Sequence, residues 1–142
     1  MTTTGVSSGV RGAIAARVAT SGLSCYEYDA WDIPSDLFVT LGAARWTLRE
    51  HQDQAYGIRA MTIPVMLYAL IDGDAEGSIA AQESALESIL NALGADRTLG
   101  GKVAFSEPEA EVDQTYFRNP NGQTYSVVTL VLGVIPFSNT GA

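Results

Sequence analysis

Residues 62–93 read TIPVMLYALIDGDAEGSIAAQESALESILNAL. The first ten are apolar at nearly every position. In an extended chain Ile63, Val65, Leu67, Ala69 and Ile71 point one way, and Pro64, Met66, Tyr68 and Leu70 point the other. Asp72-Gly73-Asp74 then turns the chain, with Asp74 a good helix N-cap. From Ala75 to Leu93 the apolar residues form one stripe: Ile79, Leu86, Ile89, Leu90 and Leu93. Gly94 stands where a glycine commonly ends a helix. A strand apolar on both faces, joined by three residues to a one-sided helix, predicts a helix laid on a sheet. The strand region is expected over 55–71, and Pro64 inside it predicts an edge position or a bulge.

The same alphabet recurs on both sides of this stretch. Val10, Ile14 and Val18 predict an amphipathic helix over residues 8–20, with Ser7 or Ser8 as cap and Gly22 as stop. Leu23–Tyr28 and Leu37–Leu41 read as short strands around a loop with Pro34. Residues 44–54 are polar and charged and predict a hairpin tip or a long loop. Asp96–Gly101, DRTLGG, reads as a turn, and residues 102–105 open the next strand. Asn119-Pro120-Asn121-Gly122 is a strong turn signal before a last strand over 123–135. The order helix, strands, helix, strands predicts α+β: a mainly antiparallel sheet with two helices on one face. One domain over residues 1–142 is expected, with 1–7 and 136–142 loose.

The last strand is also apolar on both faces, with Tyr125, Val127, Val131 and Ile135 opposing Val128, Leu130, Leu132 and Val134. An antiparallel sheet with one wet face alternates apolar and polar residues. Either the sheet curls, or a loop covers the second face, or another copy of the chain covers it.

Composition narrows the function classes. The chain has 142 residues, 46% of them hydrophobic, and a net charge of −8. Only eight basic residues face sixteen acidic ones, which excludes a broad basic patch for nucleic acid or an anionic membrane. The longest apolar run, Ile63–Ile71, is too short to span a bilayer as a helix. Nothing of signal-peptide length opens the chain, so a soluble protein is expected. Cys25 is the one cysteine, so no intrachain disulfide forms.

Residues 105–117, FSEPEAEVDQTYF, place Glu107, Glu109, Glu111 and Asp113 at alternate positions. Extended neighbours on such a stripe lie roughly 6.6 Å apart, too far to converge on one ion. Paired carboxylates at that spacing suit glycoside hydrolysis by distance, but a solvated stripe lacks the pocket such chemistry needs. On an edge strand, four acids and Pro108 block unwanted pairing. His51, in REHQDQ, has no second ligand at zinc spacing and reads as a loop residue. Cys25 reads as packed, and no nucleophile elbow or phosphate loop is present. No metal, cofactor or catalytic residue is expected. Arg45, Trp46 and Arg49 form the best candidate contact patch, because Trp and Arg are enriched in contact hot spots.

Taken together, GVRGAIAARVATSGLSCYEYD, DAWDIPSD, RAMTIPVMLYALIDGD, AQESALESILNALGADRTLGG and the final hairpin KVAFSEPEAEVDQTYFRNPNGQTYSVVTLVLGVI resemble the tail terminator family of long-tailed, siphovirus-type phages. The likeness spans about residues 9–135, and the helix-to-DRTLGG junction is its most telling part. The resemblance implies a non-enzymatic virion protein of the tail and neck, assembled in the host cytoplasm. It implies a ring, usually six-fold, that caps the tail tube, ends its polymerisation and joins the head connector. DNA passes through such a ring without sequence-specific binding. Glu107, Glu109, Glu111 and Asp113 are then candidates for an acidic lumen stripe that repels the duplex. The alternatives are a head-side connector or stopper, a small dimeric ligand-binding domain, and a carboxylate-based hydrolase.

Overall fold

The computed structural model describes residues 6–27, 36–49, 57–71 and 73–136. In chain order the elements are α1 (Val6–Ala19), β1 (Cys25–Tyr26), β2 (Leu37–Leu41), β3 (Arg45–Arg49), β4 (Gly57–Leu70), α2 (Ala75–Ala95), β5 (Phe105–Arg118) and β6 (Thr124–Ile135). The six strands form one sheet in the order β1-β2-β4-β6-β5, with β3 also on β4. All pairings are antiparallel except β1 with β2. The α+β class and the two helices on one face stand as read from the sequence.

One-sided helices need a floor, and the sheet supplies it. Val10, Ile14 and Val18 of α1 and Ala85, Ile89 and Leu93 of α2 enter one core with Ile63, Val65 and Leu67 of β4 and Val128, Leu130 and Leu132 of β6. Two arginines fasten α1. Arg11 donates to the carbonyls of Glu27 (3.0 Å) and Leu41 (3.5 Å), and Arg17 donates to that of Ala92 (2.9 Å). Ala92 lies in the last turn of α2, whose carbonyls lack helical donors and attract cations.

Several local expectations change. Ser7 and Ser8 lie inside α1 rather than capping it, and residues 1–5 and 137–142 lie outside the described residues. Asp74 caps α2 as expected, its carboxylate accepting from the Gly77 amide at 3.0 Å. Gly94 lies within α2, and the stop comes from the turn beyond it. There the Asp96 carboxylate accepts from the amides of Thr98 (3.1 Å) and Gly100 (2.9 Å) and from the Thr98 hydroxyl (2.6 Å). That scaffold holds Leu99 at φ 52°, a left-handed conformation unusual for a branched side chain, and drives Leu99 into the core.

Pro64 is the main correction. It sits in β4, the centre of the sheet, and not on an edge. Its carbonyl accepts from the Gly42 amide at 2.8 Å. A strand residue's N–H and C=O point to the same side. The missing donor of Pro64 therefore faces Gly42–Ala44, where the chain crosses from β2 to β3 and no ladder bond is due. The residue occupies a local edge inside a central strand.

The second face of the sheet answers the question raised by the two-sided strands in part. Phe38, Tyr125 and Val127 are buried there, with Met66, Tyr68, Leu70 and Phe117 packed around them. Phe38 stacks on Tyr68 at 4.8 Å, and Tyr125 meets both edge-on. This aromatic half is closed. The other half carries Thr62, Pro64, Thr129, Val131 and Gly133, all half-buried.

Candidate functional site

Cross-strand register sorts the candidate residues by face. Residues directly opposite in an antiparallel pair share a face. Arg45 pairs with Thr62, Thr62 with Gly133, and Gly133 with Glu107. These four residues form one row across β3, β4, β6 and β5 on the face away from the helices. Arg45 and Glu107 stand at its two ends, roughly 14 Å apart at a strand spacing of about 4.8 Å. Trp46 pairs with Met61, a buried core residue under the helices, so Trp46 belongs to the opposite face from Arg45. The patch Arg45–Trp46–Arg49 is thus split by strand alternation. Arg49 ends β3. The expected hairpin tip or loop becomes the strand β3 and, over residues 50–56, falls outside the described residues; so does His51.

The acidic stripe lies on β5, an edge strand, and all four of its acids are exposed. The stripe is not a straight row. Register shifts between Pro108 and Val112: Pro108 opposes Leu132 and Val112 opposes Leu130. Glu109, Ala110 and Glu111 therefore bulge opposite Val131 alone. Glu107 and Asp113 regain the same face, opposite Gly133 and Thr129. Gly133 eases the approach, since a Cβ there would sit tightly at 3.3 Å from the Glu107 carbonyl oxygen. Glu107 also meets Arg97 at 3.8 Å, and Arg97 lies over the Phe105 ring at 5.5 Å from its centre. Both ends of that ion pair are in water, which holds its contribution to about 0–1 kcal/mol.

A groove of about 690 Å³ opens beside this row, lined by Ala60, Thr62, Phe105, Glu107, Glu109 and Ile135 among others. Its floor is small side chains and its rim is mixed acid and hydrocarbon. Among the described residues no three of His, Cys, Asp and Glu converge on a point where an ion would sit.

Cys25 is half-buried, and burial first, then the Glu27 charge, pushes its thiol up to about 12. A thiol held protonated is a poor nucleophile, in keeping with Cys25 as a packed residue.

Sequence reading missed Gln82. It is fully buried on α2 and donates to the carbonyls of Leu67 (2.9 Å) and Ser126 (2.8 Å), while the Ser126 hydroxyl donates to its Oε1 at 2.7 Å. Gln114 of β5 donates to the Ser126 hydroxyl at 2.7 Å. Position 82 falls on the stripe of Ile79, Leu86 and Ile89, so helical period alone marks it as inward. This network anchors α2 to the sheet and is structural.

Exposed large hydrophobics cluster at the margins of the sheet. Among the described residues they are Tyr26 on β1, Trp46 and Leu48 on β3, Phe105, Val112 and Tyr116 on β5, and Ile135 at the end of β6. Trp46 is 47% exposed and Tyr116 65%. Comparison of the chain with protein-family models and with curated proteins finds no match.

Proposed function

We propose that this chain is a structural subunit of a closed ring of about six copies that caps a phage tail tube. The ring ends tube growth, joins the tail to the head connector and lets DNA pass. It does no chemistry, holds no cofactor and belongs to the virion. The observation that carries this reading is the distribution of exposed hydrophobic side chains. Six of the seven lie on β1, β3 and β5, the strands at the sheet margins, and the seventh, Ile135, pairs with the first residue of β5. Apolar side chains gathered on margins mark contact with other chains. The resemblance of residues 9–135 to tail terminators supplies the kind of assembly.

The acids fit such a ring. Glu107 and Asp113 share the face away from the helices, with Glu109 and Glu111 in the bulge between them. Turned to a channel, these four acids outnumber Arg45 on the same face, so they repel the phosphate backbone and let a duplex slide, because tight DNA binding needs phosphate neutralisation.

The first test is native mass of the purified chain across concentration, with images of large species. A closed ring of about six copies is the expected result. A concentration-independent two-fold dimer overturns the ring and favours a ligand-binding domain. The second test adds the chain to growing tail tubes. Tubes should stop lengthening and carry density at one end only. Unchanged growth moves the chain to the head-side layer.

A further inference from the structure

We infer that the outer edge of β3 in one copy docks against the outer edge of β5 in the next, an interface that rests on the ring reading above. Two edges are available on opposite sides of the sheet: β3 lies beside β4 at Gly57–Thr62, and β5 runs the length of β6. Among the described residues no strand pairs with the outer side of β3 or of β5. Strand directions suit the junction. β3 and β6 run antiparallel to β4, and β5 runs antiparallel to β6, so β5 runs with β4. A β3 from a neighbour, continuing the sheet past β5, meets it antiparallel.

The two edges match face by face. On the face away from the helices β3 offers Arg45, and β5 offers Glu107 and Asp113. On the helix side β3 offers the exposed Trp46. There β5 offers the exposed Val112 and Tyr116, which oppose Leu130 and Ser126. A continued sheet keeps faces, so charge meets opposite charge on one side and apolar meets apolar on the other. Registers that preserve this match differ by steps of two residues.

The same charges reject the competing assemblies. Pairing β5 with β5 of another copy brings two sets of four carboxylates together, and pairing β3 with β3 brings arginines together. Like charges across an interface disfavour the wrong partner. Self-pairing of one edge gives a two-fold dimer, whereas β3 against β5 is heterologous and closes into a ring by rotation. The acidic stripe thereby selects rotation over two-fold symmetry.

The test uses two charge-reversed chains, Arg45→Glu and the double variant Glu107→Arg/Asp113→Arg. Each alone should lose at least about tenfold in association constant by sedimentation, since reversal puts like charges at every junction. Mixed one to one, they should assemble again, because each reversed edge finds its complement in the other chain. Recovery on mixing also shows that both variants are folded. Wild-type rings that persist in both single preparations overturn the edge assignment and leave the ring standing. Loss of assembly without recovery on mixing, in variants that melt as wild type does, also overturns it. A wild-type chain that is monomeric to about 1 mM, the limit of weak association, overturns the edge interface, while tube capping is decided separately by the elongation assay.

Discussion

β4 and β5 are each fourteen residues long and lie one strand apart in the same sheet. Along β4, Met61, Ile63, Val65, Leu67 and Ala69 are buried in strict alternation. Along β5, Ser106 alone is buried. β4 has a neighbour on each side and helices above it. Among the described residues β5 has one strand neighbour, β6. The two strands divide the labour: burial in β4 holds the fold together, and β5 gives the core little beyond Ser106.

The sharpest way to break this contrast is to truncate each strand and compare stabilities. Leu67→Ala in β4 should cost about 2–5 kcal/mol of unfolding free energy, from lost burial and the cavity left behind. Denaturant melts of the purified chain check this. Gln82→Ala should follow at about 1–3 kcal/mol, because it removes three buried hydrogen bonds between α2 and the sheet. Its signature should be faster hydrogen exchange in α2 and β6. Tyr116→Ser on β5 should change monomer stability by less than about 0.5 kcal/mol, as expected for an exposed site. A Tyr116→Ser chain that unfolds as readily as Leu67→Ala would refute the division.

The smallest effect concerns the turn between α2 and β5, and it depends on acid. Hydrogen bonds from Thr98 and Gly100 hold the Asp96 carboxyl below its usual value. A folded-state value below the unfolded one adds stability above the unfolded value, about 3.9, and loses it as pH falls through the folded one. Wild type should therefore melt higher than Asp96→Asn at pH 7, and the gap should close in thermal melts below about pH 4.

Periodic signals were legible in the sequence. The stripe Val10, Ile14, Val18, the cap Asp74 and the turn Asn119–Gly122 all stand where spacing put them. What stayed hidden depends on partners distant in sequence. Pro64 is harmless because Gly42–Ala44 leaves a gap beside it, which no window around Pro64 contains. β3 is a strand because β4 lies next to it, despite its polar composition. The acidic alternation was visible, but its bulge arises from the register with β6. The split of Arg45 from Trp46 follows from strand alternation and was available once β3 was known. Gln82 was legible by position and overlooked by residue type.

One consequence of the shielded Cys25 concerns redox. Burial and the Glu27 charge keep the thiol protonated at neutral pH. Disulfide exchange begins from the thiolate. The folded chain therefore offers a poor nucleophile for crosslinking.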